Sequence, residues 1–165
     1  MDSNLERLHD AITSATKGMT TEQLQRHEPG KWSTAEVLEH LYLSYTGTVK
    51  GLGRCLEEGK PLARPQTLRD RLATTLVTGL GYFPNGRKSP KQASPRGTSV
   101  EQVVSGIGPE IRKMDELIAQ CVERHGDALM LDHPILGPLT AKQWAKFHWV
   151  HGRHHVKQIW KLRKN

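Results

Sequence analysis

The stretch from Thr140 to Leu162, TAKQWAKFHWVHGRHHVKQIWKL, holds four of the chain's nine histidines within eight residues. An α-helix turns about 100° per residue, which places Trp144, His148, His151, His155, Ile159 and Leu162 on one narrow stripe. A core-facing stripe should be apolar, and the middle of this one is imidazole. His151 and His155 are four apart, so they stack one turn above the other and can share one small partner. His154 points off the stripe. A buried neutral imidazole needs partners for both nitrogens, and a charged one needs a counter-charge. From Ala141 to the C-terminus there is no Asp or Glu. Inward histidines without a local carboxylate are costly unless something binds them, and a divalent metal binds them as neutral imidazoles. The competing expectation is a set of helix histidines that face solvent or bond backbone carbonyls.

The remaining sequence supplies the frame for such a helix. The 165 residues suffice for one domain, residues 1–165, with a real hydrophobic core. Aromatic residues make up only 5% and no long β-branched alternating run occurs, so an all-α fold is expected. No apolar stretch approaches the roughly 20 residues a membrane helix needs, and Met1 to Lys17 is charged and amphipathic rather than a signal peptide. The expected location is therefore the cytoplasm. Cys55 and Cys121 lack a CxxC spacing and read as reduced, packed thiols. The net charge of +7 raises the question of nucleic acid. The basic residues are spread along the chain, with local excess only at Arg87 to Arg96 and Lys157 to Lys164. The second group sits at a helix C-terminus, where cations complement the dipole. Without a helix-turn-helix or a long basic run, nucleic acid is not the expected partner.

In chain order, Leu5, Leu8, Ile12 and Ala15 predict a first helix over 3–17, stopped at Gly18. Ser33 and Glu36 form a capping box that starts a second helix, running to about Glu57 with the stripe Val37, Leu38, Leu41, Tyr45, Leu52 and Leu56. His40 lies at the edge of that stripe beside Ser44, and periodicity alone leaves it either boundary or surface. Residues 60–97 hold five of the nine prolines and one helical patch, Thr67 to Thr78, with Leu68, Leu72 and Leu76. Phe83 to Gly97 has loop composition. A connection of that length can cross from one end of a helical bundle to the other. Thr98 and Glu101 suggest another capping box for a third helix ending near Arg124, kinked or delayed by Gly106, Gly108 and Pro109. Asp132 to Thr140 reads as an ordered turn in which His133 is surface, gate or outer support of a site. The fourth helix has a second apolar face, Trp149, Val156 and Trp160, which must meet the 60–97 segment or a second subunit, so a homodimer is expected.

Two motifs, WSTAEVLEHL (Trp32 to Leu41) and WVHGRHHVKQI (Trp149 to Ile159), together resemble the DinB/YfiT-like superfamily of metal-dependent proteins. The segments FPNGRKSP and HPILGPLT resemble an uncharacterised bacterial branch of it, and the likeness covers nearly the whole chain. The resemblance implies a four-helix bundle with a long crossover between its second and third helices. It implies one divalent metal, held by a histidine early in the second helix and an HxxxH pair on the fourth. The matching positions are His40, His151 and His155. It also implies that His148 lines the pocket, with Trp144, Ser44 and His133, rather than ligating. Three neutral imidazoles suit zinc or nickel first, and also iron, manganese or copper. They leave open positions where the ion lowers the pKa of whatever binds. Relatives that use low-molecular-weight thiols imply a thiol or water transferred to a small electrophile. The alternative is a metal-stabilised bundle that acts as a ligand-binding or sensor module. Glu36, one turn before His40, is a candidate base or outer support, although capping already accounts for it.

Overall fold

The computed structural model describes residues 2–82 and 89–164. Most of these are helical, in the order α1 (Ser3–Thr16), α2 (Thr21–Gln25), α3 (Thr34–Glu57), α4 (Leu68–Thr74), α5 (Val100–His125), the strands β1 (Leu129–His133) and β2 (Gly137–Thr140), and α6 (Ala141–Arg163). One π-helical turn, Thr75–Gly79, continues α4, and a 3₁₀ turn, Lys91–Ala93, precedes α5. No helix among the described residues is long and apolar enough to cross a membrane.

The helix starts follow their caps. Ser33 Oγ accepts from the Glu36 amide while Glu36 Oε2 accepts from the Ser33 amide, and Thr140 with Gln143 repeats the device at the head of α6. The four long helices α1, α3, α5 and α6 share one core. Leu5, Leu8 and Ile12 of α1 meet Leu38, Leu41, Tyr45 and Leu52 of α3, Ile111 and Met114 of α5, and Val156 and Ile159 of α6. Gly152 sets how closely α1 approaches α6, because a Cβ there would meet Leu8 Cδ1 at 2.1 Å. A smaller cluster of Val77, Leu136, Leu139, Trp144, Phe147 and Val150 fills the space between α6, the hairpin and the π turn.

Three expectations change. The 129–140 region is not a bare turn: β1 and β2 pair antiparallel, with Leu131 opposite Leu139 and His133 opposite Gly137. The fold is thus mostly helical with a small two-stranded sheet. The third predicted helix does not start late. It runs unbroken through Pro109, and Gly106 admits the Tyr42 ring, which would lie 2.7 Å from a Cβ there. Its cap is Ser99, whose Oγ accepts from the Gln102 amide, and the Thr98 hydroxyl turns to Glu39 instead. Leu68, Leu72 and Leu76 mark a helix as expected, and they face outward at 79, 69 and 48% exposure. Asp70 and Thr74 point inward: Asp70 accepts two hydrogen bonds from the Arg64 guanidinium and Thr74 Oγ1 donates to the Leu136 carbonyl. The buried face of the helix is thus polar, with each buried polar group hydrogen-bonded.

The second face of α6 is met in part within the chain. Val156 lies in the main core beside α1, and Trp149 lies between the Arg7 and Arg153 guanidinium groups, each 5.8 Å from its ring. Trp160 stays 40% exposed. Of the loop expected over Phe83 to Gly97, and of the FPNGRKSP segment, residues 83–88 lie outside the described residues.

Candidate metal centre

His40 sits two turns into α3 and turns inward between Val37 and Leu41, both fully buried, so the helix carries the ring into the core with them. His151 and His155 project from α6 toward it. The three rings are 4, 5 and 8% exposed. His151 Nε2 lies 2.9 Å from His40 Nε2 and 3.1 Å from His155 Nε2, and the three nitrogens all fall within 4.8 Å of one another.

The protons on these rings are fixed from behind. His40 Nδ1 donates to the Ala93 carbonyl at 2.7 Å, with Ser89 Oγ 3.2 Å away, and His155 Nδ1 donates to Gln158 Oε1 at 3.1 Å. A neutral imidazole has one proton, so Nε2 of both rings presents a lone pair. Both lone pairs face His151 Nε2, which has at most one hydrogen to offer. Protons alone therefore leave one of these close contacts poorly satisfied, whereas a cation between the rings satisfies all three. Ligand nitrogens on a tetrahedral ion at 2.0–2.1 Å lie roughly 3.3 Å apart, close to the 2.9 and 3.1 Å that separate His151 Nε2 from its two neighbours.

Electrostatics keeps the rings neutral, as ligation requires. Burial pushes the His40 pKa down, although the Ala93 carbonyl opposes it. Burial and the His40 ring hold His155 at about 3, and burial with the surrounding histidines takes His151 well below its usual range. Aromatic rings wall the site: Trp32 lies 5.3 Å from the His40 ring, and Phe147 stacks on His151 at 5.3 Å.

The other candidate residues divide clearly. His148 is fully buried, but its Nε2 is 2.9 Å from Thr48 Oγ1 and so points away from the trio. Burial holds its pKa at about 3. Trp144 stacks on His148 at 5.7 Å and forms the wall behind it, one shell out from the three rings. His133 packs on Phe147 at 4.4 Å, and its Nδ1 accepts from the amides of Ile135 and Leu136 at 3.1 Å, which makes it the cap of the hairpin turn. The Ser44 hydroxyl donates back to the His40 carbonyl at 2.8 Å and does not face the rings. Glu36 is engaged in its cap and lies 3.3 Å from His27, on the outer side of α3.

Sequence reasoning missed Glu39. Its side chain is buried at 2% exposure and accepts from the amides of Arg96, Gly97 and Thr98 at 2.9–3.2 Å and from the Thr98 hydroxyl at 2.6 Å. Burial raises its pKa, but these donors outweigh burial and hold it below the ordinary carboxylate value. The strap Ser89–Thr98 thus lies across α3, fastened at Glu39 and touching His40 through Ala93. Nothing local marks Glu39, because on a helical wheel it reads as a polar boundary position. Gln158 was within reach of sequence reasoning, being three residues after His155 on the same helix.

A family model described as a protein of unknown function, DUF1569, matches residues 1–162. No curated protein and no solved structure matches the chain. With the match spanning nearly every residue, the chain belongs to the DUF1569 family.

Proposed function

We propose that the protein is a metal-dependent enzyme of DinB/YfiT-like architecture, a four-helix bundle of α1, α3, α5 and α6 with residues 60–97 as crossover. His40, His151 and His155 would hold one divalent ion, zinc or nickel first. The observation that carries this reading is the convergence of three Nε2 atoms, two of them with lone pairs fixed by Ala93 and Gln158. The cluster has three such side chains and no fourth among the described residues, whereas a structural zinc site is normally closed by four protein ligands. A bound ion supplies Lewis acidity, lowering the pKa of water or a low-molecular-weight thiol at its open position.

The chain's own residues supply the rest. The partly buried ring of Trp32 and the buried ring of Phe147 keep the surroundings apolar, which strengthens electrostatic interactions at the centre. Ala93 and Gln158 hold the imidazoles in the tautomer that ligates. The reaction class we assign is transfer of the activated thiol or water to a small electrophile. A thiol-conjugation screen on metal-loaded wild type, beside metal-loaded His151→Ala, tests it. Turnover in the wild type alone supports the reading, and equal rates in both contradict it.

One observation favours a second reading. The three histidines are at most 8% exposed, which suits a metal that staples or senses rather than turns over substrate. Chelation separates the two. A staple loses tens of degrees of Tm without its ion, and a catalytic ion leaves a folded protein with an empty centre.

A further inference from the structure

The strap Ser89–Thr98 touches α3 at two neighbouring residues. At one point His40 Nδ1 donates to the Ala93 carbonyl at 2.7 Å. At the other, Glu39 takes four donors from three consecutive strap residues. These contacts join positions 53 to 59 residues apart, so neither is a by-product of local helix geometry. A carboxylate at 2% exposure is rare unless its charge is matched by donors, and here four donors come from the strap.

We propose that Glu39 is a positioning residue for the metal centre, clamping the strap so that the Ala93 carbonyl holds the His40 proton on Nδ1 and leaves Nε2 for the ion. This rests on the metal reading above and adds the element that tunes it. With the clamp in place the Ala93 carbonyl stays opposite the ring. With the clamp released, water competes for Nδ1 and the ring can place its proton on either nitrogen, which lowers the fraction ready to ligate. Groups that orient a ligating histidine in this way change metal affinity by about 10–100-fold. Linkage makes the effect reciprocal: an ion that fixes His40 also tightens the strap.

The test uses the full chain with zinc as the probe. Glu39→Gln keeps the shape of the side chain and removes its charge, and Thr98→Val removes only the hydroxyl that donates at 2.6 Å. Zinc affinity, read by competition with a chromophoric chelator, should fall by about 10–100-fold in Glu39→Gln and by a smaller factor in Thr98→Val. Zinc should also slow hydrogen exchange at the Arg96, Gly97 and Thr98 amides in the wild type, and lose that effect in Glu39→Gln. Wild-type zinc affinity in both variants overturns the proposal. Should Glu39→Gln fail to fold, Thr98→Val decides alone: weakened binding supports the clamp and unchanged binding overturns it. Should the wild type bind no zinc, the metal reading fails separately. The clamp is then read from the ¹⁵N shifts of His40 in the metal-free protein. A shift from Nδ1–H toward a tautomer mixture in Glu39→Gln supports it, and an unchanged tautomer overturns it.

Discussion

His40 carries its proton on Nδ1 because the Ala93 carbonyl accepts it there, and that single hydrogen bond decides which nitrogen looks into the core. Two histidines outside the trio make a pH prediction. Burial holds the pKa of His133 at about 4 and of His148 at about 3, against about 6.5 in an unfolded chain. Both are depressed on folding, so their stabilisation is fully present above about pH 6.5 and is lost as pH falls toward 4. The loss is up to about 1.4 kcal/mol per pH unit for each ring. Urea midpoints of metal-free protein at pH 7.5, 6 and 5 should decline; a flat series contradicts these environments. Glu36 offers a second check. Glu36→Ala should lower stability by about 1 kcal/mol through its cap and leave metal affinity unchanged, whereas a catalytic Glu36 would lose activity with stability intact. At this scale, His151 and His155 were legible because they occupy an apolar stripe with no carboxylate nearby. Periodicity left His40 undecided, since it sits at a stripe edge, and the motif resemblance supplied it. Glu39, Ser89 and Ala93 were illegible, because their roles come from contacts about 50 residues away.

Among the elements, the helices with strong caps were readable and the short pieces were not. Ser33 with Glu36 marks the start of α3 to the residue. The hairpin escaped notice because its strands are five and four residues long and β2 contains Pro138, which argues against a strand from sequence. In α4, i and i+4 leucines announced a helix correctly, but its buried face carries Asp70, bonded to Arg64, rather than leucine. Two substitutions check these packing statements by thermal melting. Gly152→Ala should destabilise by about 1–3 kcal/mol, the Leu8 contact outweighing the roughly 1 kcal/mol that alanine adds to helix propensity. Leu72→Gln, at a position 69% exposed, should change stability by less than about 0.5 kcal/mol.

For the whole molecule, the four long helices fix α3 against α6, and the strap reaches the site through the Ala93 carbonyl at His40. The core is apolar and continuous without any metal, so metal-free protein should keep its helical circular dichroism while losing whatever activity the centre supports. The central claim is that imidazoles from two separate helices share one ion. Its most direct test is metal content per chain, measured on wild type and on His40→Ala and His151→Ala after loading with zinc and removal of excess. The account predicts about one equivalent in the wild type and a large loss in each variant, because deleting either helix's contribution leaves too few ligands. Equal metal content in all three proteins, or none in the wild type, would contradict it.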